Sequence, residues 1–128
     1  MQLGNALNWF EIPVSDFERG KKFYETIFDY QMPEKTMGPV KMGFFLHDMP
    51  GGKVGGAICK SEIHKPSQEG SIIYLNCQPD LQVVLDKVED AGGKVLQKKT
   101  KISEEQELGN IAFIVDTEGN KVALHSMG

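Results

Sequence analysis

The feature that most restricts the fold is an internal repeat. Phe45-x-x-Asp48-x-x-Gly51-x-Lys53-Val54 recurs as Phe113-x-x-Asp116-x-x-Gly119-x-Lys121-Val122, every identity at the same offset of 68 residues. Asp16-Phe17 and Asp80-Leu81 correspond at an offset of 64, so the four-residue difference falls among the loops. A long period present twice specifies paired modules, whereas a solenoid stacks shorter units in greater number.

Each copy predicts the same order of elements. Leu7 to Val14 alternates apolar and polar residues as a strand does. Ser15 and Glu18 have the S-x-x-E spacing of a capping box, and Gly20, Phe23, Tyr24, Ile27 and Phe28 recur at helical spacing behind it. Strands are expected over Asp29–Gly38, Val40–Asp48 and Lys53–Lys60, divided by turns at Gly38-Pro39 and Met49-Pro50-Gly51-Gly52. The polar, aperiodic stretch 61–70 reads as a connector. The order then repeats: a strand over Ser71–Cys77, a helix from Asp80 with Leu81, Val84, Leu85 and Val88 on one face, a stop at Gly92-Gly93, and strands over Lys94–Lys99, Asn110–Val115 and Lys121–Ser126. The prediction is one α+β domain over residues 1–128, built of two βαβββ modules at 7–60 and 71–126.

A chain of 128 residues is long enough to bury a core without help from disulfides or metals. No stretch approaches the roughly 18 apolar residues of a membrane span, and the scattered cations within a net charge of −4 make no basic stripe for nucleic acid. The start of the chain lacks the basic and apolar pattern of a secretion signal, so a cytoplasmic protein with free Cys59 and Cys77 is expected.

The segments PVSDFERGKKFYETIF and DTEGNKVALHS resemble the most characteristic stretches of the vicinal oxygen chelate superfamily, which includes glyoxalases, bleomycin resistance proteins and extradiol dioxygenases. The resemblance spans nearly the whole chain. It implies that the two sheets form a curved, partly open mixed barrel or cleft that holds a small organic molecule, and that a homodimer is possible. Many members bind a divalent metal through the first and last strand of each module. Those positions fall on Trp9, Gly55, Ile73 and Ala123 here, none of which has a donor atom. No metal or other cofactor is therefore expected at them.

Strand alternation puts Trp9 and Glu11 on one face and Phe10, Ile12 and Val14 on the other, the helix side. Ala123 and His125 share a face in the same way. The candidate catalytic pair is thus Glu11 and His125, a carboxylate orienting an imidazole, with a salt bridge between modules as the simpler alternative. The candidate ligand pocket comprises Trp9, Gly55, Ala57, Ile73, Leu75 and Ala123. His47, Asp48 and His64 have no partner at ligand spacing and are assigned to the surface, as is the acidic loop holding Glu104, Glu105 and Glu107. Three functions remain open: metal-free binding of a small molecule, lyase or isomerase chemistry by Glu11 and His125, and a non-catalytic interaction module.

Overall fold

A computed structural model describes residues 1–48 and 53–128. The first module comprises β1 (Trp9–Pro13), α1 (Phe17–Phe28), β2 (Glu34–Met37), β3 (Val40–Phe44) and β4 (Gly55–Lys60). The second comprises β5 (Tyr74–Asn76), α2 (Leu81–Leu85), β6 (Lys94–Lys101), β7 (Asn110–Val115) and β8 (Lys121–Ser126). Each module is a four-stranded mixed sheet, ordered β1-β4-β3-β2 and β5-β8-β7-β6. In both, the first strand runs parallel to the last, and the other neighbours are antiparallel. The expected α+β architecture and the doubled order of elements are both present.

A helix on one face of each sheet accounts for the main core. Phe17, Phe23, Tyr24 and Ile27 from α1 and Leu81, Val84 and Leu85 from α2 are buried against Ile12, Ile58, Ile114 and Leu124 of the sheets. Gly20 lets α1 sit close to β1, because a Cβ there would lie 2.8 Å from Val14 Cγ1. A smaller cluster of Met42, Ala57 and Cys59 covers the opposite, open face of the first sheet, flanked by Val40 and Phe44.

The turn between β7 and β8 joins the modules. Asp116 accepts from the Glu118 and Asn120 amides through Oδ1, and from the buried Tyr24 hydroxyl, at 2.7 Å, through Oδ2. Glu118 reaches the start of α1, accepting from the Ser15 and Asp16 amides at 3.0 and 2.8 Å and from Arg19 Nε at 2.7 Å. Asn120 donates to the Pro13 carbonyl at 2.7 Å. The DTEGN sequence is thus a clasp across the two modules. Among the described residues, no buried side-chain N or O lacks a hydrogen-bond partner.

Several expectations are corrected. The N-cap of α1 is Asp16, which accepts from the Arg19 amide, and no capping box forms. The Ser15 amide and hydroxyl are both engaged by Glu118, while Glu18 turns outward to Lys41. The strand expected over 29–38 shrinks to 34–37, because Asp29 is left-handed at φ 56° and the chain must turn there. Regular α2 stops at Leu85, although Val88 remains buried beyond it. The turn expected at Met49–Gly52 lies outside the described residues.

The repeat also slips in space. Cys77 donates its amide to His125 as Val14 does to Cys59, which makes Leu75 the counterpart of Ile12. One residue separates Val14 from the α1 cap and two separate Cys77 from the α2 cap, so the strand is one residue out of phase with the helix start. One residue flips every side chain to the other face. Leu75 therefore lies in the helix-side core with Ile73 packed against it, and neither shares the face of Trp9. Similarly Phe44 lies opposite Ala57, and Phe113 opposite Ala123, so Ala57 rather than Gly55 is the partner of Ala123 by symmetry.

Candidate ligand site between the modules

A half-open cavity of about 760 Å³ lies where the first sheet meets β5. One wall is aromatic. Phe28 and Tyr30 stack with centroids 5.7 Å apart and planes at 14°, and Phe10 meets Phe45 at 5.4 Å. The other wall is the chain from Ile72 to Asn76 in the second module. His47, Asp48, Lys53 and Asn76 supply polar groups at its margins.

Local sequence explains this shape. Gly56 is a floor without a side chain on which the Phe10 ring lies, so a Cβ there would collide with the ring. Gly55 similarly makes room for the His47 imidazole, which would lie 2.5 Å from an added Cβ. The Tyr30 hydroxyl accepts from the Leu46 amide at 3.2 Å, holding the aromatic wall to the chain after β3. Burial pushes the Tyr30 phenol above its usual range, so it stays neutral at ordinary pH. The site suits an apolar or planar molecule with a few polar groups, as small-molecule sites generally do.

Of the predicted pocket residues, Gly55, Ile73 and Leu75 line this cavity. Trp9, Ala57 and Ala123 do not, because the cavity opens on the helix side of the sheet. Trp9 instead meets Phe44 on the open face at 6.1 Å, while Ala57 and Ala123 are fully buried. The missed residues are mainly Phe10, Phe28, Tyr30 and Phe45. Spacing had marked Phe10 and Phe28 as core and had given Tyr30 and Phe45 no role, and only the edge position of β5 leaves one side of them uncovered.

The predicted catalytic pair is not assembled. Glu11 Oε1 bonds His64 Nε2 at 2.8 Å, and the His125 ring nitrogen bonds the Leu108 carbonyl at 2.8 Å. Glu11 is held instead by the turn that follows β4, where Ser61 Oγ meets His64 Nδ1 at 2.6 Å. His64, assigned to the surface from sequence, is thus the imidazole partner of Glu11. Its hydrogen bond holds the Glu11 carboxyl below the usual range, against the opposing effect of burial. Glu11 also borders a second cavity of about 190 Å³ between the modules, beside Lys65 and Lys121. The positions expected to hold a metal, Trp9, Gly55, Ile73 and Ala123, carry no metal-ligating atom, and in the structure Trp9 lies opposite Gly55 while Ala123 lies opposite Tyr74 rather than Ile73.

No helix among the described residues is long and apolar enough to cross a membrane. The profile of the Glyoxalase/Bleomycin resistance protein/Dioxygenase superfamily matches residues 6–124. A glyoxylase-like domain-containing protein of Didymella fabae is 30% identical over 127 residues, covering 97% of this chain and 95% of that protein. Glyoxalase I from Zea mays superposes with a TM-score of 0.68 at 18% identity, covering 94% of this chain. The chain spans 46% of the maize enzyme's length. TnmS3, an antibiotic binding protein from Streptomyces sp. CB03234, superposes with a TM-score of 0.64 at 15% identity, covering 98% of each chain. The matched profile and the doubled βαβββ fold together place this chain in the Glyoxalase/Bleomycin resistance protein/Dioxygenase superfamily.

Proposed function

We propose that the protein binds a small, largely apolar organic molecule in the cavity between its modules, without a metal at the family's usual positions. The observation that carries this reading is the cavity of about 760 Å³ walled by Phe10, Phe28, Tyr30 and Phe45. Its volume falls within the roughly 300–1,000 Å³ typical of small-molecule sites. The resemblance to an antibiotic binding protein of similar length supports binding as a sufficient role. Glu11 and His125 do not act as an acid and base pair in this reading, since each is bonded elsewhere.

The test is a titration with 8-anilinonaphthalene-1-sulfonate followed by its fluorescence, in the native protein and in an Ile72→Trp variant. Ile72 lines the cavity and is 37% exposed, so the larger ring fills the site without repacking the core. Saturable binding that weakens at least tenfold in the variant, with an unchanged melting temperature, is expected. Equal binding by the two proteins refutes the assignment of the site.

A further inference from the structure

We propose that Glu11, Cys59 and His64 form a zinc site on the open face of the first sheet, with Cys59 and His64 as donors outside the family's expected positions Trp9, Gly55, Ile73 and Ala123. Their ligating atoms, a carboxylate oxygen, a sulfur and an imidazole nitrogen, all lie within 4.8 Å of one another. No other such group of three is found among the described residues. In tetrahedral zinc, bonds of about 2.0–2.3 Å put neighbouring donors about 3.3–3.6 Å apart. Shifts of about 1 Å bring these three atoms to that spacing.

Different elements bring the donors together. Glu11 and Cys59 lie on the open face of neighbouring parallel strands, Glu11 opposite Ala57 and Pro13 opposite Cys59. The turn immediately after β4 then folds His64 back over them, its amide donating to the Ser61 carbonyl. Ser61 Oγ lies 2.6 Å from His64 Nδ1, fixing the ring with Nε2 toward Glu11. Metal-binding histidines are commonly oriented in this manner through the second nitrogen. A hydroxyl both donates and accepts, so Ser61 also suits the tautomer with a proton on Nδ1 and a free lone pair on Nε2.

The donor set selects the ion. One thiolate, one imidazole and one carboxylate are a borderline-soft set that suits zinc, whereas magnesium and calcium require oxygen ligands throughout. Three protein ligands leave the fourth tetrahedral position for water or a substrate atom. Glu11 keeps that side accessible, its side chain being 38% exposed, while the His64 side chain is 11% exposed and Cys59 is fully buried. Binding releases the Cys59 proton: the S–H bond breaks, a Zn–S bond forms, and one proton passes to solvent. In the metal-free protein, burial and the neighbouring Glu11 carboxylate push this thiol up to about 12, so it is no nucleophile.

Zinc added to the metal-free protein and followed by gel filtration is expected to stay bound at one ion per chain and to raise the melting temperature. Cobalt in its place should give a thiolate-to-metal charge-transfer band in the near ultraviolet. Cys59→Ser is expected to abolish the band and Cys77→Ser to retain it. His64→Gln, on a turn outside the core, keeps the test valid if the Cys59 variant folds poorly, and should weaken zinc binding at least tenfold with an unchanged urea midpoint. Failure to retain zinc, a band that survives Cys59→Ser, or unchanged zinc affinity in His64→Gln overturns the proposal. None of these outcomes affects binding in the separate cavity beside Ile72.

Discussion

Replacing Glu118 by Gln is expected to weaken the fold by about 2 kcal/mol at neutral pH, and by much less in acid. Burial alone would raise the Glu118 carboxyl. The Arg19 guanidinium, the Asp16 amide and the Thr117 hydroxyl outweigh it and hold the group at about 2 instead of its ordinary 4.5. At about 1.4 kcal/mol per tenfold change in proton affinity, the full difference corresponds to about 3 kcal/mol. Arg19 is 52% exposed, and solvent screening of its contribution reduces the expected loss to about 2 kcal/mol. Because the folded value lies below the unfolded one, this stability is present above 4.5 and is lost as pH falls from 4.5 toward 2. Urea unfolding at pH 7, 4 and 3 measures the gap between wild type and variant. The gap should shrink by about a quarter at pH 4 and by more than half at pH 3. Melting temperatures at pH 7 should differ by about 6–10 °C. A gap of the same size at all three pH values refutes the charged clasp as its cause.

Other consequences are open to simpler tests. Tyr24→Phe removes the 2.7 Å hydrogen bond to buried Asp116 and is expected to cost about 1.5–3 kcal/mol in urea unfolding. Gly56→Ala forces its methyl group into the Phe10 ring and should cost about 1–3 kcal/mol, with a lower melting temperature as the readout. Cys59 and Cys77 are both buried with thiols pushed up to about 12, so iodoacetamide at pH 7 should label neither in the folded metal-free protein and both in urea.

The order of elements was legible because it follows from periodicity and turn chemistry within short windows. The apolar stripe of α1 and the strands around Val40, Lys53, Asn110 and Lys121 are of that kind. What escaped depends on contacts between distant parts of the chain. Ser15 has the signature of an N-cap, but Glu118 takes its amide and hydroxyl from 103 positions away. The phase of β5 turns on one extra residue before Asp80, which composition does not weigh. At the candidate sites, Glu11 was correctly placed on the face of Trp9, whose indole donates to it at 3.3 Å. Its histidine partner was missed because His64 sits in a polar connector without periodicity. Only the turn closed by Ser61 brings the ring back over β1. The cavity was expected on the open face, and a one-residue phase shift moved Ile73 and Leu75 to the helix side.

The clasp through Glu118 also bears on how the chain reaches its native state. The first turn of α1 is held by a carboxylate 99 to 103 residues downstream. As the chain leaves a ribosome from its N-terminus, the first module therefore emerges long before its helix start can be completed. Such distant closure raises the contact order and slows folding relative to a chain of locally stabilised helices. A fragment ending in the 61–70 connector should accordingly remain loosely ordered by itself, gaining protected α1 amides only when the second module is supplied in trans.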